Sequence, residues 1–68
     1  MGNDNKDFYI ATSDGRTGAA KAYLYGLIES LDRNYKDMSI NLTVWEGQDP
    51  TGTIVAERID GEWCCTDD

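Results

Sequence analysis

Carboxylates crowd the second half of this chain: Glu46 and Asp49, then Glu57, Asp60 and Glu62 within six residues, then Asp67 and Asp68. Groups of this type can do three kinds of work. In pairs they serve as general acid and base, in clusters they hold a divalent cation, and across a surface they attract a cationic partner. Paired-carboxylate hydrolysis needs an enclosed cleft, which 68 residues hardly build. The chain also has no histidine, the usual general base and activator of nucleophiles. For calcium, a closed loop needs ligands at alternating positions and a final Glu, a pattern absent here. Neither catalysis nor a cofactor nor a metal is expected, and surface attraction remains.

The charge distribution strengthens that reading. Up to Lys36, five acids (Asp4, Asp7, Asp14, Glu29, Asp32) are matched by Lys6, Arg16, Lys21, Arg33 and Lys36. From Asp37 onward eight acids face Arg58 alone, so the whole net charge of −7 lies in the second half. Such an asymmetry speaks of partners rather than of fold. Direct nucleic-acid binding is disfavoured, because phosphates would be repelled.

Other reactive side chains add little. Cys64 and Cys65 are neighbours, and adjacent residues of a strand point to opposite faces, so they are poorly placed to bridge one another. One thiol is expected in the core and one near the surface. Ser13-Asp14-Gly15-Arg16-Thr17-Gly18 is predicted to join a strand to a helix, where exposed amides can cradle an anion. It matches neither the dinucleotide pattern nor the P-loop.

The elements that must position these groups follow from periodicity. With 40% hydrophobic residues and seven aromatics, the chain is too apolar for a disordered acidic tail. A single small domain is expected over 1–68, with 1–6 a solvated arm. Asp7–Ser13 is rich in β-favouring residues and predicts a first strand ended by Asp14-Gly15. Thr17 is the expected N-cap of a helix reaching Arg33 or Asn34, with Ala20, Tyr23, Leu24, Leu27, Ile28 and Leu31 as its apolar stripe. Lys21, Tyr25, Glu29, Asp32 and Arg33 fall opposite. Met38, Ile40, Leu42 and Val44 then alternate with polar residues and Trp45, the mark of a half-buried strand.

Asp60-Gly61 is the sharpest local signal, since a two-residue type I′ turn needs positive φ at both positions. It sets Ile59 opposite Glu62, Arg58 opposite Trp63, Glu57 opposite Cys64 and Ala56 opposite Cys65. Ile54, Ala56, Arg58, Trp63 and Cys65 are then expected on the core face, with the Arg58 stem against Trp63. The other sheet face would carry Tyr9, Trp45, Val55 and Ile59. The predicted architecture is α+β, a two-layer βαβββ with one helix on one face of a mostly antiparallel sheet of about four strands.

Short, single-domain, cysteine-poor, without histidine and negative on one face, the chain resembles the small acidic proteins with which phages disarm host defences, anti-CRISPR proteins among them. The resemblance implies a phage-encoded inhibitor acting in the host cytoplasm. Its implied partner is a DNA-recognising subunit of a CRISPR effector, occluded by a DNA-mimicking surface. The residues expected to form that surface are Glu57, Asp60, Glu62, Asp67 and Asp68, supported by Glu46 and Asp49. Carboxylates two apart on a strand, or on neighbouring strands, lie roughly 5 to 7 Å apart, a spacing that resembles that of backbone phosphates. Against this stands the simpler reading that acidic surfaces aid solubility. The alternative is a structural or adaptor module, or a homodimer, recognised through the apolar sheet face. A cytoplasmic location with no membrane association is expected.

Overall fold

The computed structural model describes residues 5–65. Five strands and one helix run in the order β1 (Lys6–Thr12), β2 (Thr17–Ala22), α1 (Leu24–Asn34), β3 (Leu42–Glu46), β4 (Thr53–Ile59) and β5 (Glu62–Cys65). The strands form one antiparallel sheet ordered β2-β1-β3-β4-β5. The class is therefore α+β with one helix, as expected, but with five strands rather than about four.

The extra strand comes from the segment expected to begin the helix. Thr17–Ala22 pairs with β1 from Lys6↔Ala22 to Ala11↔Thr17 instead of coiling. Its three alanines favour helix in isolation, but pairing with β1 overrides that preference. Thr17 is not an N-cap: the helix starts after Tyr23, which makes no side-chain capping bond. Ser13–Arg16 consequently joins two strands, and no helix N-terminus stands there to cradle an anion. Lys6, assigned to a solvated arm, is the first residue of β1; residues 1–4 of that arm lie outside the described residues.

Leu27 and Leu31, one turn apart, bury the helix against the sheet. Phe8, Ile10, Leu42, Val44, Val55 and Ala56 complete the core, with Leu24, Ile28 and Trp63 packed around it. Met38 and Ile40 precede β3 rather than belonging to it, and Met38 is exposed. Ile54 and Val55 exchange their expected places, Val55 being buried in the core and Ile54 exposed. The cause is a bulge: Val44 pairs with Ala56 but Trp45 pairs with Ile54, leaving Val55 as the extra residue that flips the alternation. Both thiols are exposed, so neither Cys64 nor Cys65 is a core residue.

Candidate partner-binding surface

The β4–β5 hairpin forms as the Asp60-Gly61 signal requires. Asp60 has φ 53° and Gly61 φ 84°, the double positive of a type I′ turn. The register pairs Ile59 with Glu62, Arg58 with Trp63, Glu57 with Cys64 and Ala56 with Cys65. Because Arg58 is fully buried on the helix side, alternation puts its neighbours Glu57 and Ile59 on the opposite, helix-free face, with Glu62 and Cys64 across from them.

Arg58 decides the electrostatics of the hairpin. Its Nη1 donates to Asp32 Oδ1 at 3.1 Å and to the Tyr35 carbonyl at 2.8 Å, and its Nη2 donates to the Asp37 and Ile40 carbonyls at 3.0 and 2.9 Å. Asp32 Oδ1 also accepts the Trp63 indole N–H at 2.9 Å. The guanidinium thus gathers carbonyls from the exit of α1 and the segment after it, where the macrodipole favours a cation. Sequence reasoning placed Asp32 on the solvent side of the helix, and in fact it reaches the hairpin. Nothing in the spacing of Asp32, Arg58 and Trp63 announces this, since the contacts span 26 and 31 residues.

Glu57, Asp60 and Glu62 are brought together around the hairpin. Glu57 and Glu62 are diagonal neighbours, a relation worth roughly 7 to 8 Å. Asp60 stands at the turn, its N–H donating to Asn41 Oδ1 at 3.2 Å. Among the described residues none of the three has a cation within 4.0 Å. Glu46 and Asp49 sit elsewhere: Glu46 pairs with Thr53, the first residue of β4, and Asp49 lies in the loop between β3 and β4. The length of β4, about 20 Å for seven residues, separates them from Asp60. Glu46 is moreover paired with Lys6 Nζ at 3.7 Å. Asp67 and Asp68 lie outside the described residues.

Asp49 has its own local partners. It accepts the Thr51 hydroxyl and the Thr51 N–H, bonds that hold its carboxyl below the ordinary value of 3.8. Asp37 is lowered in the same way by Ser39, and Asp14 by the Thr12 hydroxyl and by Arg16.

The helix-free face also carries Tyr9 and Trp45, paired across β1 and β3 with ring centroids 5.7 Å apart. Among the described residues no group of three or more His, Cys, Asp or Glu side chains could hold a metal ion, and no helix is long and apolar enough to cross a membrane. No protein-family model, curated protein or solved structure matches the chain.

Proposed function

We infer that this chain is a non-enzymatic inhibitor that binds a nucleic-acid-binding protein through the carboxylates of its β4–β5 hairpin. Glu57, Asp60 and Glu62 form the contact. The observation that carries the reading is the fate of Arg58. It is the sole cation of the acidic half, and it is fully buried among carbonyls on the other side of the sheet. The hairpin therefore presents carboxylates without a compensating charge. Lysines and arginines that grip phosphates accept carboxylates by the same charge-assisted bonds. The resemblance to anti-CRISPR proteins points to a DNA-recognising subunit of a CRISPR effector as the partner.

The test is capture from a nuclease-treated host lysate on immobilised protein, washed first at low and then at high ionic strength. Release of a basic DNA-handling protein by salt supports the reading, whereas capture unaffected by a Glu57→Lys, Glu62→Lys variant contradicts it. The Tyr9–Trp45 pair on the helix-free face favours a second reading, an adaptor or homodimer contact made through Tyr9, Trp45 and Ile59. In that case Trp45→Ala abolishes capture and salt has little effect.

A further inference from the structure

The opposite edge of the sheet offers a different kind of surface. β2 is the outermost strand there, and Thr12 N–H donates to the Arg16 carbonyl at 2.9 Å. Alternation along an antiparallel pair then turns Gly18, Ala20 and Ala22 toward β1 and leaves the backbone N–H and C=O groups of Thr17, Ala19 and Lys21 facing outward. Among the described residues no strand lies beyond them. An open edge of this sort is a template for an added strand.

Behind the edge, between β2 and α1, lies an open groove of about 300 Å³ whose floor is Ile10, Leu27 and Leu31. That volume is at the lower end of the roughly 300 to 1,000 Å³ typical of ligand sites. Gly18 lies on its β2 side, and a Cβ built there would meet nothing within 4 Å. Among the described residues, Arg16 is the only charged side chain lining the groove. Arg16 is held by Asp14 Oδ2, 3.3 Å from its Nε, and by the Tyr35 ring, whose centroid lies 5.8 Å from its Cζ.

Direction selects the occupant. A strand added antiparallel to β2 runs toward Thr17, so its C-terminus arrives beside Arg16, whereas a parallel strand would bring an ammonium group there. The added residue opposite Gly18 shares its face and points into the groove. We propose that the β2–α1 groove binds the free C-terminus of an extended aliphatic peptide. Its main chain pairs with Thr17, Ala19 and Lys21, one side chain lies over Ile10, Leu27 and Leu31, and its carboxylate meets Arg16. This site is independent of the acidic hairpin.

The probe is an N-acetylated pentapeptide of valine and threonine ending in valine, titrated as free acid and as C-terminal amide into the ¹⁵N-labelled full chain. The free acid is expected to give saturable shifts at the Thr17, Ala19 and Lys21 amides. The amide, and the Arg16→Gln variant with the free acid, should bind about tenfold more weakly, the loss of one charge-assisted bond. Gly18→Val, whose side chain occupies the groove, should lose binding while keeping a folded spectrum. Equal binding of acid and amide, or no shift in β2 at millimolar peptide, overturns the proposal. So do β2 shifts that grow with protein concentration without peptide, because a second copy then takes the edge.

Discussion

Asp32 Oδ1 lies 3.1 Å from Arg58 Nη1 and 2.9 Å from Trp63 Nε1, so one carboxylate oxygen ties the helix to both strands of the last hairpin. The two ends of that contact differ in consequence. Arg58 is fully buried and serves three carbonyls besides Asp32, whereas the Asp32 side chain is 41% exposed. Arg58→Ala should cost about 3 to 5 kcal/mol, because it leaves buried acceptors unpaired. A chain of this size has on the order of 3 to 10 kcal/mol in total, so the variant should lose a large share of its stability. Asp32→Asn keeps an oxygen for the indole and should cost only about 1 kcal/mol, reduced by solvent screening. Urea denaturation followed by Trp fluorescence checks both.

Charge reversal on the hairpin should act on binding and leave folding alone. Glu57→Lys with Glu62→Lys alters side chains on the helix-free face, and Glu62 is exposed. The urea midpoint is expected to stay nearly unchanged, within about 0.5 kcal/mol of stability. Affinity for the captured partner should fall, and its dependence on salt should flatten. Trp45→Ala should leave that salt dependence intact.

At two glycines an added methyl group meets resistance, of unequal size. A Cβ on Gly52 would lie 2.0 Å from the Glu46 carbonyl oxygen, and a Cβ on Gly61 would combine a φ of +84° with a 3.3 Å contact to Met38 Cβ. Gly52→Ala must displace backbone and should cost about 1 to 3 kcal/mol or more. Gly61→Ala should cost about 1 kcal/mol. Thermal melts of the two variants should therefore rank Gly52→Ala as the less stable.

Acid should weaken the fold through Asp37 and Asp49. Hydrogen bonds from Ser39 and Thr51 hold these carboxyls below 3.8 in the folded chain. The unfolded chain then binds more protons near that value, so this stabilisation is present above it and is lost as pH falls through the lower folded values. Ser39→Ala with Thr51→Val removes the hydroxyl bonds. Denaturation between pH 2 and pH 7 should show a shallower acid-side fall for the variant than for the parent chain; identical profiles would count against the assignment.

What the sequence made legible was local. Asp60-Gly61 specified the last hairpin and its register because the turn chemistry is carried by two adjacent residues. Leu27 and Leu31 marked the helix face correctly. Thr17–Ala22 misled because its alanines suit a helix while its structure is decided by β1, several residues away. Val55 misled because a bulge shifts alternation by one without any residue type that announces it. Of the acidic residues, the pattern found the grouping of Glu57, Asp60 and Glu62, which share one hairpin. It joined Glu46 and Asp49 to them only by counting charge, and β4 holds those two at its other end.

The burial of Arg58 also fixes how the molecule looks from a distance. Four hydrogen bonds from its two terminal nitrogens hold the guanidinium at the interior seam between helix and hairpin, away from the acidic face. The potential is thus built into the fold and present whether or not anything is bound; salt screens it from outside, but no internal rearrangement short of opening the seam supplies a cation to cancel it.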